Sequence, residues 1–239
     1  MNFRPARELA LLSLFVLTSC STQNSPTNSP ATETVVSTTP PFQTKEPDRY
    51  RATRTITTYN STGGTSVSKS SIARAGGMRR QEFETGGVKV VYLDLTDGRF
   101  VLLLEDRVFA DLSAEASTSL NADDQTPELS PERLLHAEGS TTSYQKLGPE
   151  IIGGRKTNKY RIVVNAPHSE NVTLNETMIW IDEDLQMPTK SETKSTDGTR
   201  VTMELSDITL EVDGRMFQIP DDCEKVTFTE LRKRLRKTP

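Results

Sequence analysis

Residues 78–104 read MRRQEFETGGVKVVYLDLTDGRFVLLL, and the punctuation of this stretch decides the fold. Gly86-Gly87 separates the run Met78–Thr85 from Val88–Leu95, and Asp97-Gly98 separates the latter from Phe100–Leu104. Short glycine-bearing breaks between β-branched and aromatic runs are hairpin turns, because glycine enters φ > 0 without steric cost. Working outward, Gly76-Gly77 joins Val67–Ala75 to Met78–Thr85, and a break from Asn60 to Gly64 sets off Tyr50–Tyr59. Glu105-Asp106 returns the chain into Val108–Leu112. Six runs joined by links this short must pair antiparallel, since parallel neighbours need crossovers of a dozen residues or more. The expectation is a meander and not a βαβ fold.

From Ser113 to Gly139 the alternation stops and the composition turns acidic and Ser-rich. Ser130-Pro131-Glu132 reads as an N-cap followed by proline at the first helical position, predicting a short helix through Ala137 with Leu134 and Leu135 on its apolar side. Strand patterns resume at Tyr144–Ile152, Thr157–Asn165, Thr177–Asp182, Thr189–Ser195 and Val201–Val212. In the last of these, the apolar parity of Val201, Met203 and Leu205 shifts by one before Ile208, which predicts a bulge near Ser206-Asp207. Phe217-Gln218-Ile219-Pro220 reads as a final short strand stopped by proline. Phe228–Lys237 reads as a helix, with Leu231 and Leu235 four residues apart among Arg232, Lys233, Arg234, Arg236 and Lys237.

At the other end, Arg4 and Arg7 precede an apolar run, Leu9 to Leu17, interrupted only by Ser13. Roughly nine apolar residues are too few for a helix crossing a hydrocarbon core, which takes about 20, and they have the layout of a secretory signal. Leu17-Thr18-Ser19-Cys20 resembles the lipobox of bacterial lipoproteins, in which the chain is cut before the cysteine and the cysteine is lipidated. On that resemblance residues 1–19 are a signal peptide and Cys20 carries the lipid that anchors the protein to a membrane. Two or three acyl chains hold a protein almost permanently, at about 0.8 kcal/mol per buried CH₂. Ser21, where some bacteria use aspartate as an inner-membrane signal, resembles outer-membrane sorting and implies an address in the cell envelope.

Residues 21–48 are dominated by Ser, Thr, Pro, Asn and Gln, with Val35, Val36 and Phe42 the only sizeable apolar residues. Ordering such a stretch repays little entropy, so residues 20–48 read as a disordered tether, followed by a β domain at 49–228 and a basic tail at 229–239. The tether would span roughly 30 Å on average and about 90 Å drawn out.

The formal charge of −4, or −5 once Arg4, Arg7 and Glu8 are removed, leaves no global nucleic-acid footprint. His136 and His168 stand far apart and away from cysteine, which leaves no histidine-rich metal site. With Cys20 lipidated, Cys223 is a lone thiol. The acidic clusters Asp123-Asp124, Asp182-Glu183-Asp184 and Asp221-Asp222 lie in turn contexts, where carboxylates cap backbone amides. No phosphate loop, nucleophile elbow or zinc spacing is present. The sequence therefore points to a protein that is not an enzyme and needs no cofactor.

Tyr144-Gln145-Lys146-Leu147-Gly148 with Gly153-Gly154-Arg155-Lys156-Thr157-Asn158-Lys159-Tyr160, then Ile179-Trp180-Ile181-Asp182 leading to Met187-Pro188, Leu205-Ser206-Asp207-Ile208 and Phe217-Gln218-Ile219-Pro220 carry a further resemblance. Over roughly Tyr50 to Val226 the chain resembles the lipoprotein-sorting carrier family of the Lol carriers and the mycobacterial lipid-carrying lipoproteins. The resemblance implies a mainly β (α+β) fold, in which a curved antiparallel sheet forms an incomplete barrel with one or two short helices. It also implies a lipid or a lipidated protein as ligand. The insertion after Ser113 is shorter and more polar than the apolar helices of those carriers.

Two sets of candidate site residues follow. Val90, Tyr92, Leu102, Leu104, Tyr160, Ile162, Met178, Trp180, Met203 and Leu205 would line the inner face, with Leu134 and Leu135 above it, as an apolar pocket for acyl chains. The competing expectation is a filled core presenting a surface to another envelope protein. Arg232, Lys233, Arg234, Arg236 and Lys237 would dock on anionic lipid, each contributing about 1 kcal/mol.

Overall fold

The computed structural model describes residues 36–113, 141–165 and 175–237. Its strands are β1 (Val36–Ser37), β2 (Arg49–Tyr59), β3 (Thr65–Ala75), β4 (Met78–Thr85), β5 (Val88–Leu95), β6 (Gly98–Leu103) and β7 (Val108–Asp111). They continue as β8 (Thr141–Ile152), β9 (Arg155–Asn165), β10 (Asn175–Asp182), β11 (Pro188–Lys194), β12 (Arg200–Thr209) and β13 (Glu224–Lys225). One helix, α1 (Phe228–Lys237), follows.

All thirteen strands belong to one sheet, in the order β1-β8-β9-β10-β11-β12-β2-β3-β4-β5-β6-β7-β13. The end strands do not pair with each other, so the sheet is an incomplete barrel and the fold is mainly β. The six-strand meander runs from β2 to β7 with antiparallel pairing throughout. Its turns are set where the glycines set them: Gly76, Gly86 and Gly87 have φ of 62°, 57° and 75°, values that side chains with a Cβ rarely adopt. The expected bulge in β12 is present between Ser206 and Thr209, with Asp207 at φ 54°.

Three sequence expectations are corrected. Phe217 to Pro220 is not a strand: Gly214–Phe217 forms a 3-10 turn, capped by the Asp213 side chain accepting from the Arg215 N–H. That local hydrogen bond offers the backbone an alternative to a ladder. The last strand is instead β13, parallel to β7 through Glu224 opposite Val108. The boundary that set residues 229–239 apart as a basic tail is corrected: the helix read there is present as α1 and packs on the sheet, with Phe228 and Leu231 4% and 0% exposed within a cluster with Val88, Val90, Val101, Leu103, Val108 and Ala110. Each such side chain contributes about 1.5–3 kcal/mol by leaving water.

The third correction concerns where the folded part begins. β1 pairs with β8, and residues 38–48 form a strap that joins this sheet end to β2 in its interior. Phe42 packs on Tyr144 and Tyr160, with ring centroids 6.1 and 4.6 Å away. The Lys45 N–H donates to the Gln186 carbonyl at 2.9 Å. Glu46 accepts from Tyr50 Oη at 2.6 Å, from Arg74 at 2.6 Å and from Arg79 at 3.1 and 2.7 Å. The folded unit thus includes residues assigned to the tether, and of the apolar residues there Phe42 is the one that docks, while Val36 stays exposed.

Cys20 and the helix expected through Ala137, with Leu134 and Leu135, lie outside the described residues. Among the described residues, no helix is long and apolar enough to cross a membrane.

Candidate functional site

Strand register defines an inner face. Tyr160, Ile179, Ser191, Met203 and Ile56 are successive cross-strand neighbours from β9 to β2. Leu205, Arg54, Ser70, Phe83, Val90, Leu103 and Val108 form a parallel row from β12 to β7. Period-two alternation keeps each row on one side of the sheet. Apolar clusters lie at both ends of this face, around Tyr144, Tyr160, Ile162 and Ile179 and around Val90, Val101 and Leu103. A third, around Tyr50, Met203 and Leu205, occupies the middle. Polar groups interrupt them: Arg54 donates to Ser70 at 3.3 Å, and Thr177 and Thr193 hydroxyls meet at 3.0 Å.

Of the residues expected to line a pocket, the structure brings Val90, Tyr92, Tyr160, Ile162, Met203 and Leu205 onto this one face. Leu102 and Leu104 are corrected: Leu102 pairs with Val91, and both leucines pack with Val91 and Leu93 on the opposite side. Trp180 and Met178 are corrected too, since they pair with Lys159 and Arg161 while Tyr160 and Ile162 pair with Ile179 and Thr177. Trp180 is covered from outside: its indole N–H donates to Glu150 at 2.9 Å, and the ammonium groups of Lys159 and Lys190 stand 4.6 and 5.0 Å from its ring. Around Trp180 this side is held by cation–π contacts and charge, whereas at the β5–β6 end it carries the apolar cluster of Val91, Leu93 and Leu102.

The inner face is covered by three parts of the chain. The strap lays Phe42 on the β8–β9 end. The β10–β11 turn places Met187 and Leu185 against Tyr50, Ala52, Met203 and Leu205. α1 covers the β5–β7 end. Beside the strap is a cleft of about 210 Å³, with Phe42, Tyr160 and Ile181 on its apolar side and Asn158, Glu183 and Gln186 on its polar side. The Asn158 amide donates to Glu183 at 2.9 Å across it.

Burial would raise the Asp182 carboxyl, but hydrogen bonds from Arg155 and from the backbone N–H groups of Leu185 and Asp184 outweigh it and hold the group below the ordinary aspartate range. Glu46 follows the same balance, with burial overcome by Arg79, Tyr50 and Arg74. Carboxylates held ionised in this way are poor proton carriers near neutral pH. Burial, and to a lesser degree the charge of Glu183, pushes the Tyr160 phenol up. Cys223 is half-buried, and desolvation with Asp222 nearby pushes its thiol up, away from reactive thiolate. Among the described residues no group of His, Cys, Asp and Glu side chains is placed to hold a metal ion.

One polar atom on this face is unaccounted for. Thr189 is 2% exposed and its hydroxyl has no hydrogen-bond partner. It sits where the β10–β11 register slips, between Trp180 opposite Lys190 and Ile181 opposite Pro188.

Phe42, Ile56, Ile179, Val101, Leu103, Leu185 and Met187 belong to the inner face and its covers, although their positions in the sequence did not single them out. The available signal was loop length: the two-residue link after Leu95 pairs Leu95 with Gly98, which forces Val90 opposite Leu103 and not beside Leu102.

No protein-family model matches the chain, and no curated protein matches it. Among solved structures, the chain is similar to a LolA superfamily protein from Nitrosomonas europaea, at 12% identity over 73% of this chain and 92% of that chain, with a TM-score of 0.35. It is also similar to MucB in the MucA/MucB complex of Pseudomonas aeruginosa, at 14% identity over 75% of this chain and 58% of that one, with a TM-score of 0.45. An uncharacterized conserved protein from Thermus thermophilus is similar at 10% identity over 75% and 90%, with a TM-score of 0.41. Likenesses this remote carry no ligand or partner across to this chain. The chain folds as an open, mainly antiparallel half-barrel, of the kind the residues resemble, with an inner face whose apolar clusters are covered by the chain's own strap, turn and helix.

Proposed function

We propose that this protein is a lipid-anchored lipoprotein of the bacterial cell envelope that binds a hydrophobic or lipidated ligand on the inner face of its half-barrel and catalyses no reaction. The observation that supports the reading is the inner face itself: apolar clusters on β9 and β10, on β12, and on β5 and β6 lie on one side of the sheet with polar side chains between them. A surface of this kind displaces water from an acyl chain without demanding strict geometry. The interrupting groups, Arg54, Ser70 and the Thr and Ser hydroxyls of β10 and β11, suit the polar end of an amphiphile. A ligand would take the place of Phe42 and widen the cleft beneath it.

The experiment is native mass spectrometry of the gently purified chain, paired with uptake of a fluorescent fatty acid. Bound lipid, and tighter uptake in Phe42→Ala, are the expected results. A clean apo mass with no uptake by either form would overturn the reading.

A second reading has its own support. Ligand pockets typically measure about 300–1,000 Å³, and the cleft described here is about 210 Å³. With the strap, turn and helix already seated, the domain could serve as an envelope interaction module that encloses nothing. Absence of lipid in both measurements is the result that favours it.

A further inference from the structure

We propose that the outward flank of α1 docks electrostatically on an anionic lipid surface, without inserting into it. The proposal rests on the lipid-anchor reading only in that the anchor brings the helix near a bilayer.

At 3.6 residues per turn, α1 divides into three sectors. Phe228, Leu231 and Leu235 fall on one, and this sector is spent: Phe228 and Leu231 are 4% and 0% exposed, and Leu235 packs on the same cluster. Glu230 and Arg234 fall on a second and pair with each other at 3.5 Å. Arg232, Lys233 and Arg236 share the third, spanning about 100° of arc, and all three are exposed. The Arg232 guanidinium lies over the Phe228 ring at 5.6 Å, which fixes it at the boundary of the buried sector. Before the helix, Glu224 is an exposed acid held in β13, and Asp222 faces Arg107 at 3.6 Å.

An amphipathic helix that binds membranes by insertion must offer its apolar side to the acyl region. This helix cannot do so without unpacking the β5–β7 end of the core. Attraction is therefore charge alone, which falls off within a Debye length and is screened by salt. At about 1 kcal/mol for each cation near an anionic leaflet, three cations correspond to roughly a 100-fold change in partition.

The test uses the mature chain, residues 20–239 with Cys20→Ala, so that neither lipid nor the apolar run Leu9–Leu17 contributes, in co-sedimentation with phosphatidylglycerol-containing and with purely phosphatidylcholine vesicles. Expected is binding to the anionic vesicles only, released by salt, and weakened about 100-fold by Arg232→Gln, Lys233→Gln and Arg236→Gln together. Arg232→Lys with Arg236→Lys keeps the charge and should keep the binding, which separates docking from a folding defect. Binding that survives either the triple glutamine variant or high salt overturns the proposal. So does equal retention of the chain by a soluble polyanion such as heparin at the same salt, which would make α1 a general polyanion surface. Failure of the anchor is read separately, as absence of fatty-acid label in the wild-type chain or its persistence in Cys20→Ala.

Discussion

Asp182 shows how one side chain is asked to do several things. Its carboxylate is 1% exposed, yet it receives the Arg155 guanidinium and two backbone N–H groups of the turn that carries Met187 onto the inner face. Since its folded pKa lies below the ordinary value of 3.8, its contribution to stability is present above that value and is lost as pH falls through the folded one. Asp182→Asn should cost about 2–3 kcal/mol near neutral pH, as loss of hydrogen bonds to a charged group. It should also flatten the fall in stability below pH 3.8. Urea midpoints across pH would check both, and an unchanged acid limb would show that Asp182 is not the group responsible. Thr189 is the opposite case. A buried hydroxyl without a partner costs free energy, so Thr189→Val should leave stability unchanged or raise it by up to about 1 kcal/mol. A loss larger than that in thermal unfolding would mean the hydroxyl is bonded in solution. Neither role was legible in the sequence: Asp182 stood in an acidic turn cluster like any other, and Thr189 gave no sign that a register slip would bury it.

At the scale of elements, strand limits were legible where the turns are built from glycine. Met78–Thr85 and Val88–Leu95 are read from the sequence and found in the structure with the same bounds. Facing was harder to read. β5 and β6 are apolar on both sides, with Val90, Val91 and Leu93 opposite Leu103, Leu102 and Phe100, so alternation could not tell one face from the other. β10 presents the same ambiguity through Met178 and Trp180 against Ile179 and Ile181. The strap was missed because its composition is that of a linker, and a few side chains, Phe42 and Glu46 foremost, do the docking. Phe42→Ala should destabilise the domain by about 2 kcal/mol, less than the 3–5 of a fully buried ring because Phe42 is only half-buried. Calorimetry would measure this, and a null effect would mean the strap is not seated in solution. For α1, Leu231→Ala removes a side chain with no exposed surface and should cost about 2–5 kcal/mol, whereas Lys233→Ala at an exposed position should stay within about 0.5.

Across the whole molecule, the meander and the second set of strands meet through β12 against β2, so the two halves of the sheet share one hydrogen-bonded seam. The seam passes through the middle of the inner face, and Met203 and Leu205 lie on it opposite Ile56 and Arg54. The two hydrophobic ends belong to different stretches of sequence, which is why periodicity within any one strand could not assemble the site. Lipidation is tested at this scale as well: metabolic labelling with a clickable fatty acid should mark the wild-type chain and leave Cys20→Ala blank.

The strap also determines how this protein would respond to being pulled. Traction applied ahead of Val36 reaches the two-residue pairing of β1 with β8 first, then Phe42, and only afterwards Glu46 and the long β2 ladder. Such an arrangement opens like a tear strip, one contact at a time, and the strap drawn out fully reaches at most about 45 Å, part of which it already spans when seated across the sheet. Lifting the strap would uncover the aromatic floor of Tyr144 and Tyr160 beneath Phe42.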